Sequence, residues 1–186
     1  MATVNQIGLT LLGQTGTGNF VGSASAALVT PVLGDALATS ISLGGGAALS
    51  RYDQGTWLPI FLFSTLGNLS VSYATQTGSY TRIGNIMFLD FLLTCTPTWT
   101  TSSGNFRIGG IPTVSTSAIF AGEVGSKSTN FITGAGYTYM NLTTSSGSSF
   151  LQVIQFGSAR AFASITSGSF TSGIQISIGG SIAYNV

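Results

Sequence analysis

Few residues of this 186-residue chain could perform acid–base or nucleophilic chemistry. The chain contains no histidine, which excludes Ser-His-Asp and Cys-His catalysis as well as histidine-based metal sites. A glycosidase needs two carboxylates facing one cleft, and only four acidic residues are present, so pairing Asp53 with Glu123 or Asp90 is the least favoured reading. We therefore predict that the protein is not an enzyme and has no catalytic residue, no cofactor and no metal site.

Three aromatic residues are candidates for direct ligand contact. Trp99 lies in the stretch CTPTWTTSSG, where a turn would present its indole ring, and Tyr137 and Tyr139 fall on one face of a predicted strand. A sugar ring could stack on such side chains, which combine an apolar face with a polar edge. Packing in the core or between subunits is the alternative, and the usual location of large aromatic side chains favours it.

Charged residues are scarce throughout the chain. They make up 5% of the sequence, against about 25% in ordinary soluble domains, while 44% of residues are hydrophobic. The five basic residues are scattered, so nucleic acid, which needs clustered Lys and Arg, is not an expected partner. A surface so poor in charge tends to self-associate, and we predict that copies of the chain cover one another. A monomer solubilised by Ser, Thr, Asn and Gln is the alternative.

No segment has the pattern of a membrane span or a secretory signal. The most apolar stretch, WLPIFLF at 57–63, is far shorter than the ~20 residues that a spanning helix requires. The N-terminus lacks a basic region before its first apolar residues. We predict no membrane insertion. The single cysteine, Cys95, lies in an apolar run and is expected in the core.

Alternation with a period of two residues dominates from residue 51 onward. Between Asn85 and Cys95 both alternating sets are apolar except for Asp90 and Thr94, which predicts a strand that is covered on both faces. Clusters of Ser, Thr and Gly at 77–79, 101–104, 145–149 and 166–173 predict turns. Residues 51–186 are therefore predicted to form an all-β, antiparallel, jelly-roll-like β-sandwich of about eight to ten strands.

Residues 1–50 differ in composition from the rest of the chain. They carry a single charge, Asp35, and many Gly, Ala, Ser and Thr residues without sustained helical periodicity. Their aliphatic residues are too numerous for a solvated linker. We predict an extended N-terminal arm that packs between subunits or on a docking surface.

A block of residues at fixed spacing runs from Asp53 to Thr113. Its members are Gly55, Trp57, Pro59, Tyr73, Gln76, Gly78, Tyr80, Arg82, Gly84 and Pro112. We expect them to define the fold rather than to contact a ligand. Gly78 and Gly84 would mark the ends of a short turn–strand unit, and Arg82 would cap carbonyl groups or pair with an acidic residue.

This block resembles a domain of tailed-bacteriophage tail fibres and other virion appendages, with the pattern Gly-Thr-Trp-x-Pro, Tyr-x-x-Gln-x-Gly-x-Tyr-x-Arg-Ile-Gly and Gly-Leu-Pro. Here the last element reads Gly-Ile-Pro. Residues 15–34, TGTGNFVGSASAALVTPVLG, resemble a second segment of phage fibres, with Ala26 where proline is usual. The resemblance implies a homotrimer located in the virion and brings no catalytic residues with it.

Four functions are weighed on these grounds. The first is a trimeric tail-fibre or receptor-binding appendage that adheres to the host surface through a glycan, with residues 1–50 contacting other virion proteins. The second is a capsid-decorating trimer, either a head fibre or a cement protein. The third is a secreted lectin-like adhesin, which the missing signal sequence disfavours. The fourth, an enzyme, is disfavoured by the missing histidine.

Overall fold

The computed structural model describes residues 51–117, 119–128 and 130–186. The predicted N-terminal arm, residues 1–50, lies outside the described residues.

Ten β-strands run through the described residues, as the alternation predicts. They are β1 (Tyr52–Trp57), β2 (Ile60–Thr65), β3 (Ser70–Ile83), β4 (Ile86–Thr98), β5 (Ser103–Gly109), β6 (Ile119–Lys127), β7 (Tyr139–Thr144), β8 (Phe150–Gly157), β9 (Arg160–Ser164) and β10 (Ile176–Asn185). One 3₁₀ turn at Ser167–Ser169 is the sole helical element in these ranges, and no helix there is long and apolar enough to cross a membrane. The predicted all-β, antiparallel class is confirmed.

The strands form one continuous sheet in the order β1-β3-β4-β10-β6-β7-β8-β5-β2, and β9 pairs with β8 beside this path. Strands β1 and β2 lie at opposite ends of the order, yet only Leu58 and Pro59 separate them along the chain. The sheet must therefore curl around its core until its two ends meet, which produces a half-barrel. We call this meeting of β1, β2 and β3 the seam.

Strand β4 shows how the alternation divides the two faces of the sheet. Met87, Leu89 and Leu93 point inward and are almost completely buried. Phe88 and Leu92 point outward, where 44% and 41% of their surfaces stay exposed. The inward set is covered as predicted. The outward set, which we expected to be covered too, is open to solvent in the single chain.

The core is rich in aromatic rings. Five phenylalanines from the strands and loops pack in edge-to-face or tilted pairs, with the ring centroids of contacting pairs 4.6–5.9 Å apart: Phe61, Phe63, Phe106, Phe131 and Phe170. Such offset and T-shaped contacts add to the hydrophobic stabilisation. Cys95 is fully buried as predicted, and its burial raises the pKa of the thiol to about 12. The thiol is therefore protonated and unreactive near neutral pH.

Candidate functional site

Trp99 packs against the core instead of standing free on a turn. Its ring meets Phe63 edge to face with 5.1 Å between centroids. The hydroxyl of Ser172 accepts a hydrogen bond from the Trp99 amide and donates one to its carbonyl oxygen, both at 2.9 Å. The indole is half-buried, so only part of its face could meet a ligand.

The structure separates Tyr137 from Tyr139, which we had placed on the same face of one strand. That prediction is wrong, because β7 begins at Tyr139 and Tyr137 lies in the preceding loop. The Tyr137 hydroxyl donates to the carbonyl oxygen of Ala161 at 3.3 Å, and the Arg160 guanidinium lies 5.8 Å from the centre of its ring. Tyr137 therefore joins a loop to strand β9.

Tyr139 lies on the outer face of the sheet, where it stacks on a second ring. It pairs directly with Phe156 of β8, and the two rings are 5.3 Å apart and nearly parallel, at 7°. Phe162 of β9 continues this row with its centroid 6.1 Å from that of Phe156. Tyr139 and Phe162 are 56% and 58% exposed. We call Tyr139, Phe156 and Phe162 the aromatic platform.

A row of polar side chains crosses the outer face next to the aromatic platform. Cross-strand pairing places Asp90 opposite Ser181, Ser181 opposite Glu123, and Glu123 opposite Asn141. Directly paired residues point to the same side of a sheet, so these four side chains form one line across β4, β10, β6 and β7. They line a groove of about 550 Å³. We call them the polar strip.

The polar strip contains two of the carboxylates that the sequence left open as a catalytic pair. Asp90 and Glu123 are two strands apart, which separates their backbones by about 10 Å. Both are exposed. Asp53 is not part of this site, because it lies on β1 beside Arg51 and the hydroxyl of Tyr80. No cluster of three or more potential metal ligands occurs among the described residues.

A second exposed apolar area covers the outer face of β1, β3 and β4. Tyr52, Ile83 and Ile86 are successive partners across these three strands, and Phe88 and Leu92 follow Ile86 on the same face of β4. Each of the five has more than two fifths of its surface exposed. We call these five residues the apolar surface. Their direct partners on neighbouring strands are small or uncharged, such as Thr81 and Ala183 opposite Phe88, but Asp90 of the polar strip lies between Phe88 and Leu92 on β4.

The block of fixed-spacing residues gathers at the seam. Gly55 pairs with Tyr80 and Trp57 pairs with Gly78, so an aromatic ring covers each glycine. A Cβ on Gly78 would lie 2.6 Å from Cε2 of Trp57, and a Cβ on Gly55 would lie 2.8 Å from Cε1 of Tyr80. Each glycine is therefore required for the close approach of a ring. The predicted turn at 77–79 is wrong, because these residues lie inside β3.

Hydrogen bonds join β3 to β2 across the seam. The Gln76 side-chain amide donates to the carbonyl oxygen of Pro59 at 3.0 Å, and the Phe61 amide donates to the Tyr73 hydroxyl at 3.2 Å. Burial is the main cause that raises the pKa of Tyr73. Trp57 Nε1 lies 3.2 Å from the carbonyl oxygens of both Ser79 and Asp90. In these contacts the side chains of Trp57, Tyr73 and Gln76 bond to the backbone of the same domain, as we expect of residues that define the fold.

The remaining residues of the block lie at the ends of strands. Arg82 Nε donates to the carbonyl oxygen of Gly84 at 2.8 Å, the carbonyl-capping contact that we expected. Gly84 has a φ of 59° in the turn between β3 and β4, where a side chain would be strained. Pro112 is exposed in the loop after β5.

Sequence reasoning missed most of the outer-face site. Phe156 and Phe162 lack any local motif, and Asn141, Ser181 and Glu123 lie far apart in the chain. The signal that joins them is the pairing register of β6–β10, which alternation alone does not reveal.

The sequence matches no known protein family, and no curated protein matches it either. Among solved structures, the Dettilon tailspike protein matches with a TM-score of 0.52 and 16% sequence identity. The matched region covers 72% of this chain and 24% of the tailspike chain. This likeness therefore establishes a shared fold and spans about a quarter of the tailspike.

Proposed function

We propose that this protein is a structural component of a tailed-phage virion, a homotrimeric tail-fibre or receptor-binding appendage that adheres to the host surface. The observation that carries the proposal is the half-barrel fold, which it shares with part of a phage tailspike. The resemblance of the Asp53–Thr113 block to phage fibre domains supports the same assignment from the sequence alone.

The apolar surface supports the homotrimer. Phe88, Leu92 and their neighbours form an exposed apolar area, with the carboxylate of Asp90 between Phe88 and Leu92 on β4, on a chain that has few charges to keep copies apart. Exposed apolar patches of this kind are typical of protein interfaces. Association through this surface would bury it and would supply the outer cover that the alternation in β4 predicts.

A binding role fits the available chemistry better than catalysis. The chain has no histidine, and the Cys95 thiol is buried with its pKa raised to about 12. Asp90 and Glu123 are exposed along an open groove, and neither is enclosed in an apolar pocket as a typical carboxylic general acid is. In the proposed function, the protein therefore binds its target without changing it chemically and needs no cofactor.

Residues 1–50 are assigned to attachment within the virion. Their low charge and many aliphatic residues suit contact with other virion proteins or between subunits. Deleting them should leave the trimer of residues 51–186 soluble but absent from purified particles. Retention of the truncated chain in particles would assign the attachment to the β-domain.

Gold-labelled antibody against the β-domain tests the location in purified phage particles. We expect label at the tip of the tail or its fibres. Label on the head would instead support a capsid-decorating trimer, and particles without label would overturn the virion assignment.

Light scattering of the purified chain tests the assembly, with an expected mass three times that of the 19.0 kDa chain. A stable monomer would contradict the homotrimer.

A further inference from the structure

We infer that the aromatic platform and the adjoining polar strip together form a binding site for a pyranose-containing glycan. This inference rests on the proposed host-attachment function, because it names the class of molecule that the protein would recognise and the residues that recognise it.

The aromatic platform provides an exposed apolar surface of stacked rings. Tyr139 and Phe156 stack face to face, and Tyr139, 56% exposed, keeps its outer face open, while Phe162 extends the surface onto β9 with its ring tilted 39° to that of Phe156. All three rings stand on adjacent paired strands, and the direct pairing of Tyr139 with Phe156 fixes the spacing of these two rings. The axial C–H groups of a pyranose pack on such rings, whose faces carry negative potential.

The polar strip begins next to these rings. Asn141 follows Tyr139 by two residues on the same face of β7, which places it about 7 Å farther along the strand. Glu123 is its direct partner on β6, and Ser181 and Asp90 follow on the next two strands. Within the described part of the chain, the side chains of Asn141 and Glu123 make no hydrogen bond to another residue. Their oxygens are therefore open to ligand hydroxyls.

The chemistry of the strip distinguishes a glycan from a second copy of the chain. The strip offers two carboxylates and an amide, which are mostly hydrogen-bond acceptors, whereas a pyranose carries several hydroxyl donors. An apolar protein face placed here would strip water from Asp90 and Glu123 without supplying donors, which is unfavourable. The apolar surface meets the polar strip at Asp90, but its own five members carry no carboxylate or amide, so its part on β1 and β3 suits a second copy instead.

The far end of the aromatic platform carries a positive charge. Arg160 begins β9 and lies over the ring of Tyr137, two residues before Phe162. Its exposed guanidinium could donate to hydroxyl or ring oxygens of a longer saccharide. The site therefore runs from Arg160 through the aromatic platform to the polar strip, which suits an oligosaccharide better than a single sugar.

Binding of the full-length protein to an array of bacterial O-antigen and capsular polysaccharides tests this site, followed by calorimetry on the best binder. Tyr139→Leu keeps an apolar side chain but removes the ring, and it should weaken binding about tenfold. Tyr139→Phe keeps the ring and should stay within about twofold of the wild type. Phe156→Leu should resemble Tyr139→Leu.

Leu66→Ala serves as the matched control. Leu66 is 53% exposed on a loop outside both outer-face surfaces, so its loss should not alter glycan binding. Glu123→Gln and Asn141→Ala should each weaken binding several-fold without changing the thermal melting temperature, because both act through ligand hydroxyls.

Several results would overturn the inference. One is that the wild type binds no polysaccharide on the array. Another is that Tyr139→Leu and Phe156→Leu bind as tightly as the wild type. A third is that Tyr139→Leu lowers the oligomer mass. The last result would assign the platform to a contact between copies. If the antibody still labels the virion tail, the proposed virion function is supported even when the glycan site fails. The labelling experiment therefore distinguishes a failure of the glycan site from a failure of the proposed function.

Discussion

The outer face of the half-barrel carries two exposed apolar regions that differ in their neighbours. The apolar surface on β1, β3 and β4 joins side chains such as Ile83 and Phe88 to uncharged partners. The aromatic platform on β7, β8 and β9 contains only rings and borders the carboxylate and amide of Glu123 and Asn141. Exposure is similar in the two regions, so the hydrogen-bonding groups around them decide what each can bind.

This difference in neighbouring hydrogen-bonding groups suits the two regions of the sheet to different kinds of partner. An apolar area with few acceptors, such as the apolar surface with Asp90 at its border with the polar strip, loses little when a second protein removes its water. An area bordered by acceptors loses hydrogen bonds to water unless the partner provides donors. The first region therefore suits self-association and the second suits a polyhydroxylated ligand. The predictions below test this division, beginning with the largest expected effect.

Phe88→Lys should abolish the homotrimer. It places an ammonium group in the apolar surface, where burial against another chain would strip its water at a cost of several kcal/mol, which pairing with Asp90 would reduce but not cancel. Light scattering should report the 19.0 kDa mass of one chain, with an unchanged circular dichroism spectrum. Phe162→Lys on the aromatic platform is the control and should remain trimeric. A trimeric Phe88→Lys variant would show that assembly uses another surface.

Alkaline pH should weaken the layer beneath the apolar surface. Cys95 on β4 and Tyr184 on β10 are buried, and burial raises the pKa of each to about 12. In the unfolded chain these groups lose their protons near their ordinary pKa values of 9.0 and 10.0. The folded state binds more protons in this interval, so stability is retained below about pH 9 and falls by a few kcal/mol as pH rises towards about 12.

Urea unfolding at about pH 8 and about pH 11 measures this fall. Leu66→Ala removes no titratable group and should leave the pH dependence unchanged, whereas Cys95→Ala should reduce it. Equal urea midpoints at the two pH values would contradict the prediction.

Gly78→Ala should destabilise the seam that supports the apolar surface. The added methyl group would meet the Trp57 indole at 2.6 Å from Cε2, and overpacking of this kind costs about 1–3 kcal/mol. The free energy of unfolding in urea measures the loss. Gly125→Ala, whose Cβ would meet no atom within 4 Å, is the control and should change stability by less than about 0.5 kcal/mol. Equal effects of the two substitutions would argue against a tight seam.

Arg51→Ala should have the smallest effect. Arg51 and Asp53 form an exposed ion pair at 4.0 Å beside the apolar surface. Exposed pairs contribute about 0–1 kcal/mol, so neither the free energy of unfolding nor the trimer mass should change measurably. Dissociation of the trimer in this variant would show that charge at the border, and not the apolar area, holds the copies together.

The strands were largely predictable because alternation is local. The runs around Met87–Cys95 and Ile176–Tyr184 show a two-residue period that only a strand satisfies. Gly78 misled the prediction, because glycine in a sequence usually indicates a turn. Its role here is to admit the Trp57 ring from a strand 21 residues earlier. No local pattern distinguishes the two uses of glycine.

The candidate site was predictable only in part. Tyr139 was identified as an exposed aromatic residue, but Trp99, chosen on the same grounds, packs against Phe63. Trp99 lies just beyond the end of β4 and packs its ring on Phe63, whereas Tyr139 begins β7 on the outer face of the sheet. These positions depend on where each strand ends and on the pairing register, which the local sequence does not reveal.

The amino-acid sequence by itself determined the all-β class, the buried thiol and the absence of histidine chemistry, because these follow from composition and from a period of two residues. Only the tertiary structure decided that Tyr139 meets Phe156 and that Asp90, Ser181, Glu123 and Asn141 stand in one line. Those contacts depend on how strands distant in the chain align, and a shift of one residue would turn every side chain of a strand to the opposite face.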